Sequence, residues 1–141
     1  GAGIQADLKS FAANGVFGMS VINSVTSQNT TGVFGVYDIP CDVVASQIDA
    51  VFKDIFPDAV KIGMVSSAEI INTIADRLKY YNAKNIVLDT VSGEISGTLL
   101  SNKQFITETT SGTVNVPQSV SNEECRITTV SGDIYIKIAD Q

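Results

Sequence analysis

The feature that most constrains this chain is a change in its hydrophobic periodicity near residue 89. Before that point, apolar residues recur at spacings of three and four and alternate with short β-branched runs, which predicts helices alternating with strands. After it, the helical spacing disappears, and short segments rich in Thr, Ser, Val and Ile alternate with Ser-Gly turns. We therefore expect an α/β segment over residues 1–91 and an all-β segment over residues 92–141.

The first segment carries start and stop signals for alternating helices and strands. The predicted helices are Ile4–Ala13, a helix that follows Pro40 and ends before Pro57, and a helix that Ser66 or Ser67 caps. The predicted strands are Phe17–Val25, Gly32–Tyr37, Ala59–Val65 and Asn85–Asp89, and Thr26–Thr31 is predicted to be a polar loop. This alternation predicts a partial parallel sheet with right-handed crossovers.

Three copies of the pattern T-x-S-G-x-[IV] mark the second segment, and they begin at Thr90, Thr109 and Thr129. Spacings of 19 and then 20 residues are typical of a repeat architecture. Each copy predicts a strand, a tight turn in which glycine supplies a positive φ, and a second strand. The residues predicted to share one inward position are Ile95, Val114 and Ile134. Units this short must stack, so we expect a solenoid-like arrangement, with a stack of hairpins as the alternative.

The two patterns overlap at Thr90-Val91, which ends the last predicted parallel strand and opens the first repeat. No stretch of Gly, Ser or Pro separates them, so that strand should run directly into the first repeat. An incomplete parallel sheet leaves an edge with unpaired backbone groups. Covering of that edge within the chain and homo-oligomerisation through exposed sheet edges are the two outcomes we expect.

Charge and composition exclude several classes of partner. The chain has 15 acidic and 9 basic residues, a net charge of -6, and its basic residues are scattered, which argues against nucleic acid. No apolar run approaches the roughly 20 residues of a membrane helix, and no signal peptide is recognisable, so we expect a cytoplasmic protein. Without histidine, Cys41 and Cys125 predict no metal site and are expected to be structural thiols, a disulfide between them being the alternative.

Five motifs in the first segment, GAGIQADLKSF, SVINSVTSQNTTGV, ASQIDAVFKDI, DAVKIGM and NIVLDTV, resemble the hydroxymethylpyrimidine/phosphomethylpyrimidine kinases of thiamine biosynthesis, in the ribokinase-like superfamily. The resemblance covers residues 1–91. It implies a site for hydroxymethylpyrimidine at the carboxyl edge of the parallel strands. The substrate-binding residues that it implies are Asp7, Gln28, Met64 and Val91.

Those four assignments are chemically reasonable. Asp7 and Gln28 can hydrogen-bond an aminopyrimidine edge, and Met64 and Val91 can pack against its ring. Each residue also has a simpler structural interpretation. Asp7 would interact with a helix dipole, Gln28 would be an amide in a loop, and Met64 and Val91 would be core residues. For Lys61 the simple interpretation is a strand-end side chain that extends to water.

Comparison with the resembled family also indicates which of the family's features the sequence lacks. The family uses ATP and Mg²⁺, but its glycine-rich anion hole and its catalytic cysteine have no counterpart in the sequence, so we assign no catalytic residue and no cofactor to this chain. Phosphoryl transfer depends on such positioning groups. We expect a truncated kinase-like segment that at most keeps pyrimidine binding.

Residues 92–141 resemble an adhesin-type family of β-strand repeats. That resemblance implies a structural or interaction role without enzymatic activity, which is the alternative function for the chain as a whole. The carboxylates of this segment alternate along strands, so they are expected to be solvated rather than paired in a catalytic or metal site.

Overall fold

A computed structural model describes residues 3–92, 95–99, 104–118 and 124–138. The helices are α1 (Ile4–Ala13), α2 (Cys41–Asp54) and α3 (Ala68–Tyr80). The strands are β1 (Ser24–Asn29), β2 (Gly32–Asp38), β3 (Val60–Ile62), β4 (Ile86–Ser92), β5 (Ile95–Leu99), β6 (Gln104–Ser111), β7 (Val114–Asn115), β8 (Glu124–Ser131) and β9 (Ile134–Ile138). They form two compact units, of which the first is Gly1–Pro57 with Val65–Asn82 and the second is Asp58–Met64 with Ala83–Gln141.

The helices confirm the sequence prediction closely. Helix α1 has the predicted bounds, α2 begins directly after Pro40, and Ser67 caps α3 by accepting a hydrogen bond from the Ile70 amide at 3.3 Å. Helices α2 and α3 bury most of the apolar faces that their periodicity predicts, but Val43 and Ile71, which were predicted to lie on those faces, are exposed. The buried residues of these two helices are Val44, Ile48, Phe52, Ile70 and Leu78. In the described part of the chain, no helix combines the length and the hydropathy needed to span a membrane.

The predicted strand Phe17–Val25 is wrong over most of its length, and the predicted loop Thr26–Thr31 mostly belongs to β1. The chain after α1 runs back over that helix, so close that a Cβ added at Gly18 would lie 2.7 Å from Leu8 Cδ2. Further on, the backbone of Ile22 is held by the side chain of Gln47 on α2. The Ile22 amide donates to Gln47 Oε1, and Gln47 Nε2 donates to the Ile22 carbonyl, each at 2.9 Å. The side-chain amide of Gln47 thus makes the backbone hydrogen bonds that a neighbouring strand would otherwise make.

In the second unit, β3 and β4 pair in parallel, as the alternation of strands and helices predicts. Strand β3 is shorter than the predicted Ala59–Val65. Strand β4 runs without interruption from Ile86 to Ser92, through the overlap at Thr90-Val91. The last strand of the α/β pattern is therefore also the first strand of the repeats, as expected from the missing linker.

The three repeats pair in parallel and in register, but their spatial order is first, third, second. They lie in two of the three sheets that the described residues form, with the orders β3-β4-β8-β6 and β5-β9-β7. The third sheet is the antiparallel pair β1-β2, so the prediction of a parallel sheet is wrong for these two strands. Parallel pairing between copies excludes the hairpin stack, and the order differs from a solenoid, in which consecutive repeats are neighbours. The turns confirm the prediction of positive φ where they are described, with φ +154 at Gly112 and +148 at Gly132.

The core of the second unit lies on the third repeat, which the other two flank. Its buried residues are Cys125, Ile127, Ile134 and Ile136, and the partly buried ones around them are Leu88, Ile95, Phe105 and Val116. The predicted common inward position is confirmed in register, because Ile95 and Val114 both pair with Ile134. Val114 is nevertheless 40% exposed, since it belongs to an outer repeat. Cys125 is buried and Cys41 is half-buried, and the alternative disulfide between them does not form.

Candidate functional site

Two of the predicted substrate residues follow paired positions of neighbouring parallel strands. Ile62 of β3 pairs with Leu88 of β4. Met64 comes two residues after Ile62 and is 54% exposed. Val91 comes three residues after Leu88, within β4. The carboxyl ends of parallel strands lie at one edge of a sheet, which is where α/β proteins bind ligands. The exposed thioether of Met64 gives this edge an apolar surface.

An ion pair that sequence reasoning missed lies at the same edge. Lys61 Nζ is 3.0 Å from Asp89 Oδ2. Lys61 pairs in register with Val87, so its side chain crosses diagonally to a residue on the same face of β4. The simple interpretation of Lys61 as a strand-end side chain extending to water is therefore wrong. Both residues belong to predicted strands, which was the available signal, but pairing them required knowing that β3 and β4 are neighbours.

The third predicted residue, Gln28, lies at an irregularity of the β1–β2 hairpin. Ser27 pairs with Gly35, but Gln28 pairs with Val33, so Phe34 is an extra residue in β2. A β-bulge of this kind re-aims the side chains beside it and is common next to binding sites. The Gln28 side chain is exposed, and its Oε1 accepts a hydrogen bond from Thr26 Oγ1 at 3.4 Å. Gln28 is thus a strand residue rather than the loop amide of the simpler interpretation.

A polar cluster fixes the base of this hairpin. Ser24 and Asp38 pair in register, and Ser24 Oγ lies 3.2 Å from Asp38 Oδ1 and 3.1 Å from Ser66 Oγ. Ser66 Oγ also donates to Asp38 Oδ1. Ser66 precedes Ser67, the N-cap of α3. The cluster therefore ties both strands to the start of a helix, which limits how far the hairpin can swing.

The fourth predicted residue, Asp7, is half-buried in the first turn of α1. A carboxylate there is stabilised by the helix dipole, and the same position suits hydrogen bonding to a ligand. Asp7 and Gln28 belong to the first unit, whereas Met64 and Val91 belong to the second. The structure thus brings Met64 and Val91 to one sheet edge and places Asp7 and Gln28 on separate elements of the other unit.

A charged surface on α2 and α3 has a structural explanation. Asp49 accepts hydrogen bonds from Arg77 Nη1 at 3.4 Å and from the Tyr81 hydroxyl at 3.1 Å, and it lies 3.8 Å from Lys53 Nζ. Desolvation, followed by the hydrogen bond to Asp49, raises the pKa of Tyr81 above its usual value of 10.0. The Tyr81 ring stacks on Phe52 at 4.7 Å between centroids. These groups satisfy one another and join the two helices.

Magnesium at phosphate-transfer sites is usually held by one or two carboxylates together with substrate phosphates. In residues 3–92, 95–99, 104–118 and 124–138, no three His, Cys, Asp or Glu side chains are grouped so that they could hold a metal ion. At the carboxyl edge, Asp89 already faces the ammonium of Lys61. The described residues therefore form no metal cage of protein ligands alone.

Comparison with known proteins covers most of the chain. The family model described as phosphomethylpyrimidine kinase matches residues 1–118, which extends past the predicted boundary at Val91. The hydroxymethylpyrimidine/phosphomethylpyrimidine kinase of Escherichia coli strain K12 is 52% identical over 97 residues, which are 69% of this chain and 36% of that protein. The kinase of the same name from Bacillus subtilis strain 168 is 47% identical over 91 residues, which are 64% of this chain and 34% of that protein.

Two solved structures of related kinases are also similar to this chain. The crystal structure of phosphomethylpyrimidine kinase from Clostridium difficile 630 is 61% identical with a TM-score of 0.61, over 63% of this chain and 38% of that one. A structure described as the last common ancestor of HMPPK and PLK/HMPPK vitamin kinases is 39% identical with a TM-score of 0.59, over 67% of this chain and 55% of that one. This chain and the two solved structures share a mixed α/β fold with parallel sheets. The chain spans about a third of the length of the Escherichia coli and Bacillus subtilis kinases.

Proposed function

The chain belongs to the phosphomethylpyrimidine kinase family, and we propose that its α/β residues form the pyrimidine-binding part of a hydroxymethylpyrimidine kinase of thiamine biosynthesis. The observation that carries this proposal is the sheet edge where Met64 and Val91 follow the paired residues of β3 and β4. An exposed apolar side chain at the carboxyl edge of parallel strands is suited to packing against an aromatic ring.

Polar recognition is assigned to Gln28 and Asp7. The amide of Gln28 offers both a donor and an acceptor, which matches the alternating donors and acceptors of an aminopyrimidine. The bulge beside it and the polar cluster at the base of the hairpin supply the rigid support that a binding residue needs. Asp7 accepts hydrogen bonds only, so it is assigned to an amino or hydroxyl group of the ligand.

The proposal stops at binding for residues 1–141 taken alone. Transfer of a phosphoryl group requires groups that stabilise charge on the phosphate oxygens, and no such set is assigned among the described residues. The division into a kinase-like segment at residues 1–91 and a repeat segment at residues 92–141 is part of the same proposal. An ADP-release assay with ATP, Mg²⁺ and hydroxymethylpyrimidine tests it, and turnover above a blank without protein would overturn the limit to binding.

We expect Gln28→Ala to weaken hydroxymethylpyrimidine binding about tenfold, because loss of one or two hydrogen bonds in a desolvated site costs about 1.4 kcal/mol. Isothermal titration calorimetry on the full chain measures the change. The matched control is Thr30→Ala, which alters an exposed residue at the tip of the same hairpin. Equal affinities of the native chain and the Gln28→Ala variant would remove Gln28 from the site.

A two-dimensional amide NMR titration with hydroxymethylpyrimidine tests the whole set. Shifts centred on Asp7, Gln28, Met64 and Val91 would support the proposed site. A well-dispersed spectrum that does not respond to excess ligand would mean that the chain folds but does not bind hydroxymethylpyrimidine, and it would overturn the binding proposal.

The alternative function is a structural or interaction role for the repeats, and the strand order favours it. Among the described residues, β6 pairs only with β8, so its other edge is a template for a further strand. Its eight residues contain one charge, Glu108, and neither proline nor lysine to block pairing. We propose that a second copy of this chain pairs there.

We expect Thr110→Lys to abolish that dimer, because a lysine on an edge strand opposes strand addition. Thr110 is exposed, so the fold should tolerate the change. Size-exclusion chromatography with light scattering gives the mass of both proteins across a concentration series. A native chain that stays monomeric throughout the series would refute dimerisation.

A further inference from the structure

The second residue of the T-x-S-G pattern forms a row near the carboxyl ends of three neighbouring parallel strands. The threonines before this position pair in register between the copies, and so do the serines after it. The residues of the row are Val91 in β4, Val130 in β8 and Thr110 in β6. Since β8 lies between β4 and β6, Val130 occupies the register position beside Val91, one of the proposed substrate residues.

Val130 has the accessible surface that a ligand contact needs. It is 52% exposed, although its strand has a neighbour on each side. The buried residues Ile127 and Thr129 take the inward face of β8, and side chains alternate along a strand, so Val130 lies on the outward face. The core of this unit therefore does not use the Val130 side chain.

Met64 and Val130 flank the end of β4 from opposite sides. Met64 follows β3, which pairs with one edge of β4, whereas Val130 belongs to β8, which pairs with the other edge. Neighbouring strands are about 4.8 Å apart, so β3 and β8 are separated by about 10 Å. A pyrimidine ring with its substituents bridges a gap of that size in van der Waals contact with both side chains.

A hydroxyl group stands next to this apolar pair. Thr128 pairs in register with Asp89, and it precedes Val130 by two residues, so it lies on the same outward face. Thr128 is half-buried, and its hydroxyl can both donate and accept a hydrogen bond. The carboxylate of Asp89 already faces the ammonium of Lys61. Thr128 thus offers a neutral polar group beside the position of the ring.

We propose that the third repeat completes the pyrimidine site, with Val130 packing against the ring and Thr128 hydrogen-bonding one of its polar substituents. This inference rests on the proposed function, because the ligand is the same hydroxymethylpyrimidine. Both residues lie beyond residues 1–118, the stretch that the family model matches, so the family resemblance does not assign them. A strand of the repeat segment then supplies part of a site whose other residues belong to the kinase-like segment.

Isothermal titration calorimetry with hydroxymethylpyrimidine on the full chain tests the two residues. We expect Val130→Ala to weaken binding about fivefold, because the ring loses part of its apolar contact. Thr128→Val keeps the shape of the side chain but removes the hydroxyl, and we expect a loss of about fivefold here as well. The matched control is Thr110→Ala, an exposed position of the same row one strand further from β4, which should change the affinity less than about twofold.

The outcomes separate this inference from the proposed function. If the native chain binds and both variants bind equally well, the inference is overturned and the proposed function stands. If the native chain does not bind, both are overturned. An intermolecular nuclear Overhauser effect on the native chain tests the contact without mutation. Signals from the ligand ring to the Val130 methyl groups but not to the Thr110 methyl group are expected, and their absence with bound ligand would overturn the inference.

Discussion

Replacement of Gly112 by alanine is expected to cost about 3 kcal/mol or more of the free energy of unfolding. Gly112 has φ +154, a conformation that is essentially restricted to glycine. An added Cβ would lie 2.7 Å from the carbonyl carbon of Gly132 and closer still to its oxygen. The obstacle is the backbone of the adjacent turn, which cannot rotate away as a side chain can.

The adjacent turn is also held in place by its hydrogen bonds. The Gly132 amide donates to the Ser111 carbonyl at 3.0 Å, and the Ile134 amide donates to the Thr113 carbonyl at 2.8 Å. Asp133 Oδ1 accepts from the Thr113 amide at 2.7 Å. Relief of the clash would therefore break contacts between the second and third repeats.

Urea unfolding followed by circular dichroism measures the effect. The control is Gly63→Ala in the same unit, where the nearest atom to an added Cβ is the end of the Lys61 side chain, at 3.8 Å. If both variants lost less than about 0.5 kcal/mol, the close stacking of the two turns would be wrong.

The second large effect is expected at the position that the three repeats share. Ile134→Ala should lose about 3 kcal/mol of stability, because Ile134 is fully buried and the change leaves a cavity. Val114→Ala, at the equivalent position of the second repeat, should lose less than about 1 kcal/mol, because Val114 is 40% exposed.

This pair of variants tests the order of the repeats. In the observed order the third repeat lies in the middle, so its isoleucine is enclosed by both neighbours. A sequential stack would instead enclose Val114. A larger loss for Val114→Ala than for Ile134→Ala in the same urea titration would show that the second repeat is central and that the strand order is wrong.

The sequence predicts the parts of this fold that depend on neighbouring residues. The bounds of α1 and the Ser67 cap of α3 follow from spacing and capping chemistry, and both are confirmed. Residues 17–25 have the composition of a strand, yet most of them are not one, because the partner of Ile22 is a side chain 25 residues away. Local pattern carries no information on such a partner.

The repeat order was beyond prediction for a different reason. Three copies of one motif can pair in the same register in any order, so the pattern determines the register and leaves the neighbours open. The candidate site likewise has a part that local sequence predicts and a part that depends on which strands are neighbours. Motif resemblance gave Asp7, Gln28, Met64 and Val91, which remain a proposal, whereas the pair of Lys61 with Asp89 depends on which strands are adjacent.

The central place of the third repeat has a consequence for the order of folding. Strands β4 and β6 do not pair with each other, and the strand that joins them, β8, follows both in the chain. During synthesis at about 5–20 residues per second, β4 and β6 must wait for several seconds with a free edge each. This sheet therefore closes late and over long loops, and a chaperone that shields strand edges would have its greatest effect in that interval.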